Sequence, residues 1–265
     1  MADVTDAPGE VPHLLVMGDD GSTGADVAWL WVCNHRWPGW RAEVVTAERP
    51  RVPAVASAPA VAEEWESPHP RLLMAQSELA SVRALTVARD QRLALNDRSD
   101  ADLLVVGPHN QGRVRTLLLG STTEWLLHHP PAPIAVVRSA TPVRRVLVTA
   151  DGSEHARAAL GAFCRLPWAS DAEALVLGVS DGWLHPDDAV AGAVAELGAA
   201  GVKATGLVAE GRVTHEILDH IDELDAQLVV LGTRGLSGWD RLRLGSTASA
   251  VVRSAPCSCL VACVD

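Results

Sequence analysis

Two long stretches of this chain are copies of one another: LLVVGPHNQGRVRTLLLGST at residues 103–122 and LVVLGTRGLSGWDRLRLGST at 228–247. A second pair, LLVMGDDGS (14–22) and VLVTADGSE (146–154), runs from an apolar strand through Asp-Gly-Ser into a helical segment. An internal repeat constrains the fold more than any single residue, because each copy must be a unit that buries its own apolar runs. The offset between copies falls from 131 residues at Asp20/Asp151 to 125 at Gly120/Gly245, so the first copy carries six extra residues. They are expected in RPRVPAVASAPAVAEEWESPHP (49–70), whose Pro/Ala content predicts a long, mobile loop. The units are expected to span residues 11–139 and 143–265. The join SATPVRR (139–145) is too short for independent tumbling, so the halves are expected to pack as an intramolecular pseudo-dimer.

Each copy has the same coarse order. In the second, strands are expected at 145–150, 173–180, near 202–208, at 227–231 and at 258–264, alternating with helices at 153–165, near 187–199, at 213–224 and at 246–254. Strands alternating with helices predict a parallel, doubly wound α/β sheet of Rossmann-like type, with right-handed crossovers and helices on both faces. The wholly apolar runs LLVV and LVVL fit strands buried on both sides. Ligands of such sheets sit outside the carboxyl ends of the strands, where strand order reverses. Both repeated motifs fall at strand carboxyl ends, so they can converge on one crevice.

The formal net charge is −11, and only one of the 22 basic residues, Lys203, is lysine. Without a basic block, nucleic acid and anionic membrane surfaces are poor partners. No run approaches 18 apolar residues and the opening MADVTDAPGEVPH lacks a basic and an apolar segment, so a cytoplasmic protein is expected. Cysteines 33, 164, 257, 259 and 263 lack metal-binding spacing and read as small buried apolar side chains. Of these, Cys257, Cys259 and Cys263 share one alternation parity and so one strand face.

Glycines between a strand and a helix commonly serve a phosphate, and two such motifs are excluded here. A Walker loop requires Gly-Lys-Ser/Thr, and Lys203 lies elsewhere; the spacing at 232, 235 and 238 is GxxGxxG, not the dinucleotide GxGxxG. What remains is Gly232-x-x-Gly235, nine residues, then Gly245-Ser246. Gly232 lets backbone approach a ligand, and Gly235 can turn amides inward. Ser246 and Thr247 open a helix whose N–H groups and positive dipole end suit phosphate oxygens. Arg234 is either an added cation or a solvent-facing side chain. Asp151 offers only acceptors, suited to an adenine amino group or a ribose hydroxyl. The plain alternative is that these glycines only shape turns and Ser246 only caps a helix.

The segments RVLVTADGSEHARAAL, LVVLGTRGLSGWDRLRLGST and APCSCLVACV resemble the universal stress protein family, and the likeness covers essentially the whole chain as two tandem domains. Its G-2x-G-9x-G-S/T motif marks the ATP-binding branch. The resemblance implies five-stranded parallel sheets of order 3-2-1-4-5 and contact between fifth strands, here 134–137 and 259–264, which leaves a further homodimer open. It implies that Asp151 and a backbone group near Val179 contact adenine. Gly232 and Gly235 would then line ribose and phosphates, and Gly245, Ser246 and Thr247 would hold the phosphates, with Mg²⁺ able to accompany ATP through Ser246 or Thr247. The first copy keeps the spacing through Asp20, Gly107, Gly120, Ser121 and Thr122. Asn110 replaces a glycine, Pro108 removes a backbone N–H, and Glu124 follows Ser121 as in a capping box, so a weaker site is expected there.

Other constellations read as structural. About 100° per residue puts His215 and His220 about 140° apart on a helix, which rules out an HExxH zinc site. His128 and His129 complement a helix carboxyl end, Ser153 caps a helix, and Trp29, Trp31, Trp125 and Trp239 pack at core or domain faces. The expected function is an ATP-binding regulator of stress adaptation with at most slow hydrolysis, since no general base is evident. Two alternatives stay open: an interaction protein of the same fold that binds no nucleotide, and an adenine-nucleotide hydrolase or transferase.

Overall fold

Short apolar runs followed by amphipathic segments fold as strand–helix units in both halves. The computed structural model describes residues 12–47, 64–66, 78–108, 119–180, 182, 185–235, 244–262 and 264. The first half contains β1 (His13–Asp19), α1 (Thr23–Cys33), β2 (Trp40–Ala47), β3 (Glu64–Glu66), β4 (Ser81–Val87), α2 (Gln91–Asn96), β5 (Leu103–Val106), α3 (Ser121–His128) and β6 (Ile134–Val136). The second contains β7 (Arg145–Thr149), α4 (Glu154–Cys164), β8 (Glu173–Ser180), α5 (Asp187–Ala199), β9 (Lys203–Glu210), α6 (Val213–Leu224), β10 (Leu228–Gly232), α7 (Ser246–Ser254) and β11 (Ser258–Ala262).

The strands among the described residues join one 11-stranded sheet ordered β3-β4-β2-β1-β5-β6-β11-β10-β7-β8-β9. Within each half the five parallel strands follow the order 3-2-1-4-5, so the expected fold is the observed one. β5, buried throughout, and β10, buried up to Gly232, lie inside their halves between the first and fifth strands, as their unbroken apolar runs require. The fifth strands meet as expected: β6 and β11 pair antiparallel, with Val136 opposite Cys259 and Ile134 opposite Val261. Arg138 fastens this seam, its N–H donating to Ser258 Oγ (3.1 Å) and its guanidinium to the Val252 carbonyl (2.5 Å).

Two apolar layers cover the sheet and run across both halves. On one face α1, α4 and α5 bury Trp29, Trp31, Phe163 and Leu197; on the other α2, α3, α6 and α7 bury Leu95, Leu126, Ile217 and Val251. Trp31 of the first half meets Trp168 of the second edge to face, with centroids 5.5 Å apart. The join is held here as well, with the Asn34 amide donating to the Ala140 carbonyl (2.8 Å) and the Val143 N–H to His35 Nε2 (3.0 Å).

Some local expectations change. Part of the expected loop at 49–70 is strand: β3 pairs antiparallel with β4, Trp65 opposite Thr86, and caps that edge of the sheet. Cys257 and Cys259 are buried, whereas Cys33 and Cys164 are only half-buried; Cys263 and Trp239 lie outside the described residues. Among the described residues no helix is long and apolar enough to cross a membrane.

Candidate functional site

The site is built where the chain leaves the carboxyl ends of β7 and β10 and where it returns to start α7. After β7, Asp151 Oδ1 accepts the Ser153 N–H (2.9 Å), and Gly152 takes the left-handed φ of +80° that this tight turn needs. Ser153 then caps α4 as expected, its Oγ accepting the Ala156 N–H (3.1 Å) while its hydroxyl donates to the Arg234 carbonyl (3.3 Å). β10 ends on Gly232 because α4 lies directly against it: a Cβ there would fall 2.6 Å from the His155 carbonyl carbon. Gly235 is closed off differently, since its Cβ would fall 2.7 Å from Asp151 Oδ2. The Gly245 N–H returns to the Thr233 carbonyl (2.7 Å), and Gly245 starts α7 with no side-chain cap, leaving the first turn of that helix to a ligand or water.

The fold brings Gly235 against Asp151 and Gly245 against Thr233 and Arg234, with Ser246 and Thr247 following as the first residues of α7, while Gly232 lies against α4. Arg234 is half-buried rather than solvent-facing. Val179 is buried in the layer under α6 and α7, and its neighbour Ser180 is the residue that reaches the crevice. Beside the start of α7 opens a cavity of about 920 Å³ lined by Ser180, His185, Arg212, Thr214, His215 and Thr247 among others. Of the residues expected from sequence, Thr247 lines it directly. The β9–α6 turn, Glu210-Gly211-Arg212, escaped notice although it too is a strand carboxyl end, which is the signal that would have found it. His220 turns away, its Nδ1 hydrogen-bonded to the Glu216 carbonyl (2.7 Å).

The first half repeats the frame at smaller scale. Asp20 Oδ1 accepts the Ser22 N–H (3.0 Å), and Ser22 caps α1 through the Ala25 N–H (3.2 Å). Asp20, Gly107, Gly120, Ser121 and Thr122 line one cavity, but its volume is about 130 Å³. Leu95 and Gln91 of α2 form its wall, Leu95 pressing within 2.8 Å of where a Gly18 Cβ would stand. Asn110 lies outside the described residues.

Two sequence expectations for this copy are corrected. Ser121 is not a cap: Gly120 holds that position, Ser121 is the first helical residue, and Glu124 forms an ion pair with Arg253 of α7 instead of closing a capping box. Pro108 does remove an N–H, but its counterpart, the Thr233 N–H, donates to the Ala262 carbonyl (2.9 Å), so the lost donor is a structural one.

Comparison with known proteins places this architecture. The family model described as the universal stress protein family matches residues 13–138 and again 142–262. The chain belongs to that family. The universal stress protein YxiE of Bacillus subtilis is 39% identical over 61 residues, 23% of this chain and 41% of that protein. MJ0531 of Methanocaldococcus jannaschii, also a universal stress protein, is 39% identical over 61 residues, 23% of this chain and 36% of its own length. These matches thus span about two fifths of each curated relative. A universal stress protein structure from Archaeoglobus fulgidus superposes with a TM-score of 0.69 at 17% identity, covering 94% of this chain and 97% of that one. That likeness is one of fold.

Proposed function

We propose that the second domain binds an adenine nucleotide, ATP in the form the family resemblance implies, and that the chain is a cytoplasmic, nucleotide-dependent regulator of stress adaptation. The units are taken as residues 11–139 and 143–265. Asp151 and the Val179–Ser180 backbone suit the adenosine. Gly232, Arg234 and Gly235 suit ribose and phosphates, and the uncapped start of α7 at Gly245, Ser246 and Thr247 suits the terminal phosphates with any accompanying Mg²⁺. The observation that carries this reading is the cavity of about 920 Å³ opening beside that uncapped helix start. Small-molecule sites span about 300–1,000 Å³, a range that the first-half cavity, at about 130 Å³, does not reach. The site groups Asp151, Arg234, Ser246 and Thr247 provide binding and orientation; hydrolysis, if any, is slow.

Calorimetric titration of the purified chain tests this. One strong ATP site per chain is expected. Gly235→Val, which drives a side chain into the Asp151 carboxylate, and Asp151→Ala should each weaken it by about tenfold or more, on the order of 1.4 kcal/mol. If both variants stay folded and bind as the parent does, the site assignment is wrong. A melting temperature unmoved by millimolar ATP would favour an interaction protein without nucleotide, a reading to which the narrow first crevice lends weight.

A further inference from the structure

We propose that Thr233 and His155 are a positioning pair that ties the glycine frame of the second crevice to the chain just after β11, a tie that opens at Val264 when His155 is protonated. The effect on ligand affinity rests on the nucleotide reading above; the pair itself does not.

Thr233, 3% exposed, is tied in three directions. Its N–H donates to the Ala262 carbonyl at the end of β11 (2.9 Å), its carbonyl accepts the Gly245 N–H that starts α7 (2.7 Å), and its hydroxyl meets His155 Nδ1 in the first turn of α4 (3.3 Å). The same Nδ1 accepts the Val264 N–H (3.1 Å). A ring nitrogen that accepts from a backbone N–H carries no proton, so His155 is neutral here with its proton on Nε2. Burial and the Arg234 guanidinium lower its pKa, opposed by the weaker pull of Glu154 and Asp151. Proton binding at Nδ1 turns the ring into a donor at that atom. The Thr233 hydroxyl can rotate to accept, but the Val264 N–H cannot, and Val264, two residues past the end of β11, must move away.

The first half shows what the frame looks like without the pair. Pro108 stands at the Thr233 position and Gly24 at the His155 position. A Cβ on Gly24 would lie 2.1 Å from the Pro108 carbonyl oxygen, so a histidine does not fit opposite this proline. The two positions differ together between the halves, and the half with the Thr/His pair has the large crevice.

The test uses the full chain and two readouts. Without ligand, exchange of the Val264 and Thr233 amides is followed by NMR from pH 8 to 5. With ATP, affinity is measured at pH 7.5 and 5.5 for the parent, His155→Asn, Thr233→Ser and Thr233→Val. Corrected for intrinsic exchange, the parent's Val264 amide is expected to lose protection as the ring titrates. Its ATP affinity is expected to fall by severalfold more than that of His155→Asn, with about tenfold as the ceiling for a ring that titrates below its ordinary value; the nucleotide's own titration is common to both chains and cancels. Thr233→Ser should retain affinity, and Thr233→Val should lose about fivefold or more at pH 7.5, a loss of hydrogen-bond size. A parent and His155→Asn with the same pH slope, or a Val264 amide indifferent to the ring, overturns the proposal. If no chain binds ATP while the amide still follows the ring, the pair stands and the nucleotide reading fails.

Discussion

The two crevices share a frame and differ in opening. Gly107 and Gly232 occupy the same place, and a Cβ on either would collide with the backbone of its own half's first helix, at 2.2 Å from the Gly24 oxygen and 2.6 Å from the His155 carbonyl carbon. That glycine is thus required by strand-against-helix packing in both halves, whatever either half binds. The opening is set by flanking residues: α2 has six residues and places Leu95 and Gln91 at the crevice, whereas α6 has 12 and its start stands at the rim of the larger cavity. A glycine repeated between copies reports the fold; the side chains around it report the site.

This contrast can be broken experimentally. The largest effect is expected from Leu95→Ala, which removes a fully buried side chain and should cost about 2–5 kcal/mol in urea unfolding. Its partner test is Gly24→Ala, expected to cost about 1–3 kcal/mol because the methyl group meets backbone at Pro108. Neutral behaviour at Gly24 would mean that the two loops do not differ as described.

A smaller effect concerns the join. His35 has its pKa lowered, chiefly by burial, with the Trp31 carbonyl bond opposing, Arg144 lowering it further and Asp171 raising it. Its Nε2 accepts the Val143 N–H, so the folded state favours the neutral ring. The stabilisation is present above the unfolded imidazole value of about 6.5 and is lost as pH falls through the lower folded one. Urea midpoints at pH 8, 6.5 and 5 should decline more steeply for the parent than for His35→Gln. The smallest change is expected for Glu124→Gln. Both members of the Glu124–Arg253 pair are about half exposed, so its loss should stay within about 1 kcal/mol and shrink further in salt.

The fold was largely legible in the sequence. The boundaries of α5, α6 and α7 and of β8 agree with the apolar periodicity, because these segments carry clear amphipathic or alternating patterns. β3 was not legible: Glu64–Glu66 lies in a Pro/Ala-rich stretch and owes its conformation to the edge of β4, a tertiary cause. At the candidate site, glycine spacing located the frame but not its contents. Glu124 satisfied a local capping pattern, yet its partner is Arg253, 129 residues away. His155 and Pro108 owe their significance to contacts that no spacing rule contains.

The antiparallel seam between β6 and β11 has a geometric consequence. It runs the strands of one half opposite to those of the other, so the carboxyl ends that carry the two crevices lie at opposite ends of the strands. α7 begins at the second crevice and presents Arg253, in its last turn, to Glu124 in the first turn of α3, beside the first crevice. A helix of nine residues, about 13 Å long, thus leads from the motif of one half to an ion pair with the corresponding helix of the other.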